Sequence, residues 1–250
     1  MGKDVIIACD FSSAEETYAF LDKLGDAKPF VKIGMELFYA EGPQIVQTLK
    51  ARGHKVFLDL KLHDIPNTVE HAMKVLAGLG ADMCNVHAAG TEKMMAAALK
   101  GLTEGAAQAN SAEGCAAAGA PEPAASRPVL IAVTQLTSTS QEQLEGDILI
   151  KQPMEDVVAA YAQHARNAGL DGVVCSPLES PAVHEKLGRD FLTVTPGVRL
   201  AGDAAGDQTR VTTPAKAREL GSDYIVVGRS ITAAADPRAA YERCLREFCG

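Results

Sequence analysis

The densest potential for chemistry lies in the segment Val56-Phe57-Leu58-Asp59-Leu60-Lys61-Leu62-His63-Asp64. It has strand character, and side chains alternate along a strand, so Asp59 and Lys61 share one face while Leu58, Leu60 and Leu62 share the other. A leucine face has to pack under neighbouring elements, which turns the acid and the base toward whatever cavity the sheet encloses. Charges held there need partners, because an unpaired buried ion is strongly destabilising. Lys32 and Asp10, each ending another apolar run, can provide them, giving a line of alternating charge through Asp10, Lys32, Asp59, Lys61 and Asp64. A fixed ammonium in such a line can stabilise developing negative charge and then deliver a proton. An Asp-x-Lys pair alone also fits a structural ion pair on a half-exposed strand. The leucine alternation favours the site.

A second group suits an anion. Gly228-Arg229 follows a late apolar run and precedes a helical segment, where close backbone approach, free N–H groups and a bidentate guanidinium favour phosphate. Thr195-Pro196-Gly197-Val198-Arg199 leads into a stretch of small and polar residues ending at Gln208, consistent with a lid closing on that phosphate. Gln208 taken alone fits a solvated loop better. His63 and His87 carry less information, since a histidine at a strand end is commonly a hydrogen-bonded structural group. The His and Cys positions lack zinc spacing, so no metal is expected.

These residues need a scaffold that gathers strand ends. Eight short apolar runs recur: Val5–Cys9, Phe30–Ile33, Lys55–Leu60, Asp82–His87, Val129–Thr134, Gly172–Ser176, Phe191–Thr195 and Tyr224–Val227. Runs such as Val5-Ile6-Ile7 and Ile225-Val226-Val227 do not alternate apolar with polar, as expected for parallel strands buried on both faces. Helix signals fall between them: a capping box at Ser13-x-x-Glu16, and N-caps followed by proline at Thr213-Pro214 and Asp236-Pro237. The pattern predicts an α/β protein, a single (β/α)₈ TIM barrel spanning residues 1–250 with its functional groups at the carboxyl ends of the strands. An open doubly wound sheet is the alternative, although no Gly-x-Gly-x-x-Gly follows the first run. Residues 101–128 are rich in Ala, Gly, Pro and Ser and read as a flexible insertion between the fourth helix and the fifth strand. An interdomain linker would look similar.

Composition narrows the partners. In 250 residues, 24 basic and 32 acidic side chains leave a net charge of −8. An acidic chain without a basic cluster argues against nucleic acid and anionic membranes, but not against a small phosphorylated substrate. No apolar run is long enough to span a membrane. Six cysteines are scattered without a Cys-x-x-Cys pair, three of them in apolar runs, which suits a reducing, cytoplasmic setting.

Together these motifs resemble the orotidine 5′-phosphate decarboxylase family. The resemblance is carried by Asp59-Leu-Lys-Leu-His-Asp-Ile-Pro-Asn-Thr68, Val31-Lys-Ile-Gly-Met-Glu-Leu-Phe38, Asn85-Val-His-Ala-Ala-Gly90, Gln135-Leu-Thr-Ser138, Thr195-Pro-Gly-Val-Arg199 and Val227-Gly-Arg-Ser230. It implies a cofactor-free, metal-free barrel that makes uridine monophosphate as a homodimer with sites at the subunit interface. By the same resemblance, Lys61 is the proton donor, flanked by Asp59 and by Asp64 of the neighbouring copy. Asp10 and Lys32 hold ribose hydroxyls, Thr68 reaches the neighbouring site, and Thr137 reads the pyrimidine edge. Arg199, Gln208, Gly228 and Arg229 bind phosphate. The segment from Glu104 to Ser126 is longer than the family usually carries. Two other readings stand beside this one: a Mg²⁺-dependent sugar-phosphate barrel enzyme sharing the Asp-x-Lys-x-x-Asp pattern, and a non-catalytic nucleotide-binding barrel.

Overall fold

Each of the eight apolar runs forms a strand in the computed structural model, which describes residues 3–113, 127–202 and 212–250. The strands are β1 (Asp4–Ala8), β2 (Phe30–Gly34), β3 (Lys55–Leu62), β4 (Met83–His87), β5 (Val129–Val133), β6 (Gly172–Val174), β7 (Leu192–Thr195) and β8 (Tyr224–Val227). Every strand pairs in parallel with its sequence neighbours, and β8 returns to β1 through Asp4↔Tyr224 to Ile7↔Val227, closing the barrel. A closed parallel sheet leaves no free edge and puts all strand carboxyl ends at one mouth. The expected (β/α)₈ architecture is the observed one; the open-sheet alternative is not.

The intervening helices are α1 (Ala14–Asp22), α2 (Met35–Glu41), α3 (Gln44–Ala51), α4 (Pro66–Ala77), α5 (Thr91–Glu113), α6 (Gln141–Gly146), α7 (Met154–Asn167), α8 (Ser180–Leu187), α9 (Pro214–Glu219), α10 (Arg229–Thr232) and α11 (Pro237–Cys249). Thr213 and Asp236 cap α9 and α11 as expected, their side chains accepting from the N–H groups of Lys216 and Ala239. Only half of the expected box forms on α1. Ser13 Oγ accepts from Glu16 N, but the Glu16 carboxylate accepts from Ser12 Oγ at 2.9 Å instead of closing back on Ser13. A full capping box occurs on α6, between Ser140 and Gln143.

Strand alternation divides the core into two layers. Val5, Ile7, Val31, Ile33, Val56, Leu58, Leu60, Cys84 and Val86 point outward and pack under the helices. Ile6, Phe30, Phe57, Met83, Ile131, Val194, Tyr224 and Val226 point inward and fill the barrel. Phe30 and Tyr224 meet edge to face with centroids 6.1 Å apart, a favoured aromatic geometry. This filled interior is the floor on which the charged residues stand. The cysteines of the strand runs behave as small hydrophobes: burial pushes the Cys9 and Cys84 thiols up to about 12.

The expected loop over 101–128 is in part a helix. α5 continues to Glu113, and residues 114–126 lie outside the described residues. Gly101 and Gly105 are not turn formers. A Cβ on Gly101 would sit 2.0 Å from the Glu70 carbonyl oxygen, and one on Gly105 would sit 2.3 Å from that of Lys74. The two glycines, four residues apart on one face, let α5 lie against the backbone of α4. Lys100–Glu70 and Lys74–Glu104 ion pairs flank the contact.

Candidate functional site

β1, β2 and β3 deliver the charge line at the barrel mouth. Lys32 follows Phe30 on the inward face of β2, and its Nζ lies 2.8 Å from Asp10 Oδ1, just beyond β1, and 3.4 Å from Asp59 Oδ2. Lys61 Nζ donates to Asp59 Oδ1 at 2.7 Å. The order Asp10–Lys32–Asp59–Lys61 is therefore continuous, as the strand reading predicts. Asp64 does not extend it. Its carboxylate accepts from the Ile65 N–H at 2.6 Å and, among the described residues, makes no ion pair. The reason is geometric: Asp64 lies beyond the strand end, exposed like Ile65 and Thr68.

Burial and charge compete in this line, and charge wins. Burial alone would lower the pKa of Lys32, but Asp59 and Asp10 outweigh it and hold it above the ordinary 10.5. Burial alone would raise Asp59, but Lys32 and Lys61, with hydrogen bonds from Lys61 and Asn85, hold it below the ordinary 3.8. Both groups are ionised at neutral pH, at a point where Asp59 is only 7% exposed.

Lys61 is placed by a local irregularity. The register of β3 against β4 runs Leu58↔Cys84 and then Leu62↔Val86, so four steps on β3 match two on β4. Lys61 occupies the left-handed region at φ 51°, unusual for a residue with a side chain. A bulge of this kind re-aims a side chain. Its main-chain N–H is taken by Asn85 Oδ1 at 2.8 Å, and Asn85 Nδ2 donates to Asp59 Oδ1 at 2.7 Å. Sequence reasoning assigned Asn85 no role. The signal was the alternation of β4, which puts Met83, Asn85 and His87 on the inner face. His87 meets His63 with ring centroids 5.5 Å apart; burial, His63 and Lys61 all lower its pKa.

Two adjoining clefts open over this floor and share Lys32, Pro196 and Val226. One, of about 460 Å³, is lined by Asp10, Gly197, Arg199, Gly228 and Arg229 as well. The other, of about 200 Å³, holds Asp59, Lys61, Gln135, Thr137 and Ser138. Gln135, 8% exposed, is a further lining residue without an assigned role in the sequence reading. Arg199 is anchored beside the first cleft by a parallel bridge, Val198↔Thr212, with Arg199 N donating to Thr212 O at 2.9 Å. That bridge joins Val198, within the stretch that leads into the predicted lid, to Thr212, four residues beyond its end at Gln208. Gln208 and the middle of that segment lie outside the described residues. Gly228 caps α10, whose first residue is Arg229. The structure thus brings Asp10, Lys32, Asp59, Lys61, Thr137, Arg199, Gly228 and Arg229 to one mouth. Asp64 and Thr68 stand outside it.

Comparison with known proteins decides the lineage. The family model described as "Orotidine 5'-phosphate decarboxylase / HUMPS family" matches residues 3–244. The chain belongs to the orotidine 5′-phosphate decarboxylase / HUMPS family. It is 52% identical over 250 residues to the orotidine 5′-phosphate decarboxylase of Bacillus cytotoxicus, covering 100% of this chain and 99% of that one. The crystal structure of orotidine 5′-phosphate decarboxylase from Lactobacillus acidophilus superposes with a TM-score of 0.83 at 44% identity, covering 99% of this chain and 100% of that one. An uncharacterized conserved protein from Geobacillus kaustophilus gives a TM-score of 0.81 at 48% identity, covering 98% and 99%. For a member of the orotidine 5′-phosphate decarboxylase / HUMPS family, the charge line and the adjoining clefts form the natural candidate site. Among the described residues no helix is long and apolar enough to cross a membrane.

Proposed function

We propose that this chain decarboxylates orotidine 5′-monophosphate to uridine 5′-monophosphate, the pyrimidine-nucleotide-forming step named by its curated relatives. The observation that carries the reading is the Lys61 ammonium, 2.7 Å from the buried Asp59 carboxylate, in a small cleft joined to one lined by Arg199 and Arg229. The pyrimidine fits the smaller cleft and the phosphate the larger.

Breaking the bond from C6 to the carboxylate releases CO₂ and leaves the electron pair on C6, where the ring delocalises it poorly. The Lys61 ammonium stabilises that carbanion and transfers its proton to C6. Asp59, 2.7 Å away, holds Lys61 aimed at that position. A substrate carboxylate about 4 Å from Asp59 would be repelled by about 4 kcal/mol at an effective dielectric near 20, equivalent to about three powers of ten in rate if fully relieved. Asp10 and Lys32 bind ribose hydroxyls, Thr137 reads the pyrimidine edge, and Arg199, Gln208, Gly228 and Arg229 hold phosphate. Binding energy from the remote phosphate organises the charges around C6.

The working unit in this reading is a homodimer in which Asp64 and Thr68 of one copy reach the site of the other. Support comes from their exposure beside Ile65, itself 65% exposed. The reaction runs without a cofactor or metal: both oxygens of Asp59 already face lysine ammonium groups, which suits proton transfer better than cation binding. The test is spectrophotometric loss of orotidine 5′-monophosphate with and without chelator. Turnover insensitive to chelator is expected. Inactivity on this nucleotide, or activity that vanishes with chelator and returns with Mg²⁺, would transfer the chain to the sugar-phosphate reading.

A further inference from the structure

We propose that Asn85 is a positioning residue for Lys61, clamping both its main chain and, through Asp59, its ammonium. This rests on the role of Lys61 given above. Three hydrogen bonds close a ring: Lys61 N–H to Asn85 Oδ1 at 2.8 Å, Asn85 Nδ2–H to Asp59 Oδ1 at 2.7 Å, and Lys61 Nζ–H to that same Asp59 oxygen at 2.7 Å. The ring returns to the residue it started from. Both ends of Lys61 are therefore tied through a single amide.

The amide is specified rather than merely tolerated. Asn85 is 1% exposed, so its polar atoms have no bulk solvent to fall back on. Turning it over would point its oxygen at a carboxylate and its NH₂ at an N–H, so only one orientation is satisfied. A leucine in its place would fill similar volume but leave the Lys61 N–H unpartnered and remove one donor from Asp59. An aspartate would keep the acceptor for Lys61 N–H and set a second carboxylate against Asp59.

The irregular backbone makes the clamp necessary. With φ at 51°, inside the register shift between Leu58 and Leu62, Lys61 has a conformation that L-residues avoid and that persists only where the surroundings over-determine it. Asn85 comes from the straight neighbouring strand β4, whose pairing with β5 runs without interruption from Met83↔Val129 to His87↔Val133. The regular strand thus imposes a fixed reference on the bent one. Site residues held this way lose rate steeply when released, because small misplacements of a reacting group are costly.

The experiment compares Asn85→Leu and Asn85→Asp with the unmodified protein in kcat, KM and pH profile, and follows exchange of the Lys61 amide hydrogen by NMR. Asn85→Leu should lower kcat by about a hundredfold with KM changed by no more than about threefold, since the phosphate cleft is untouched. Its Lys61 amide should exchange faster. Asn85→Asp should be slow at neutral pH and recover as the pH falls, when the introduced carboxyl gains a proton and can donate to Asp59 as the amide does. A structural role alone would lower thermal stability without a pH-dependent recovery. Near-normal kcat in Asn85→Leu, protected exchange at Lys61, or parallel pH profiles in Asn85→Asp and the parent would each overturn the proposal. If the unmodified protein fails on the nucleotide while Lys61 exchange still quickens in Asn85→Leu, the clamp stands and the assigned reaction falls.

Discussion

Lys32 Nζ sits 3.4 Å from Asp59 Oδ2, the carboxylate oxygen that Lys61 and Asn85 leave to it. Lys32 is thus the second cation on the carboxylate that orients Lys61, and it is itself held by Asp10. Removing it changes stability and chemistry together.

Lys32→Met should therefore destabilise by about 3 kcal/mol, the low end for breaking a buried pair, because Lys61 still faces Asp59. For a barrel of this size that is a fall of roughly 6–12 °C in Tm. The pH dependence has a definite sign. Asp59 is held below 3.8 in the folded state, so its contribution is present above that value and disappears as pH falls through the folded pKa. Lys32 is held above 10.5, so its contribution is complete below that value and disappears as pH rises through the folded pKa. In the parent, these two groups keep stability level between the two values. In Lys32→Met the acid limb should move to higher pH. Thermal denaturation across pH, with the two acid limbs superimposed, would remove Lys32 from the charge line.

Lys61 and Arg229 should separate chemistry from binding. Lys61→Ala is expected to lose decarboxylation by several powers of ten while binding uridine 5′-monophosphate within a few-fold of the parent. Arg229→Ala removes a charge-assisted hydrogen bond of about 1.5–3 kcal/mol, equivalent to roughly ten- to hundredfold in kcat/KM, most of it in KM. Steady-state kinetics with product titration distinguishes them. A Lys61→Ala protein that turns over near the parental rate sinks the mechanism, and an Arg229→Ala protein altered only in kcat sinks the phosphate assignment.

The contribution of a neighbouring copy can be tested by mixing two inactive proteins. Asp64→Ala and Lys61→Ala should each be inactive alone. Subunit exchange then creates hybrids with one intact site, restoring about one quarter of parental activity in an equimolar mixture. A mixture that stays silent after demonstrated exchange would show that Asp64 does not serve the partner.

Gly101→Ala should destabilise even though alanine is the better helix former by about 1 kcal/mol. The added Cβ would meet main-chain oxygen at 2.0 Å, which forces α5 away from α4. Overpacking of this kind costs about 1–3 kcal/mol, enough to exceed the propensity gain at most sites. Tm should drop by several degrees, with kcat and KM at low temperature unaltered. A rise in Tm would mean that the helices have slack at this contact.

Most of the frame is legible without coordinates, because burial on both faces gives parallel strands a continuous apolar signal that local pattern reading detects. Asp10, Lys32, Asp59 and Lys61 are legible for the same reason: charges inside such runs have few places to go. What escapes depends on two strands at once. The left-handed Lys61 and its Asn85 clamp arise from a mismatch of β3 with β4, and a mismatch of pairing leaves no mark within either strand alone. Gly101 and Gly105 mislead because glycine signals both turns and close helix contact, and only the partner backbone of α4 tells them apart. Asp64 is expected to complete the charge line within one chain, but β3 ends before it and leaves it in solvent.

The close seating of α5 on α4 also sets where this barrel has freedom to vary. Main chain against main chain cannot accept new side chains, whereas Glu113, where α5 ends, and Arg127, just ahead of β5, stand at the amino end of the strands, opposite Asp59 and Lys61. Sequence drift or a grafted tag there should be invisible to turnover. The base of the fold is thus a tolerant attachment point, and the top answers for the chemistry alone.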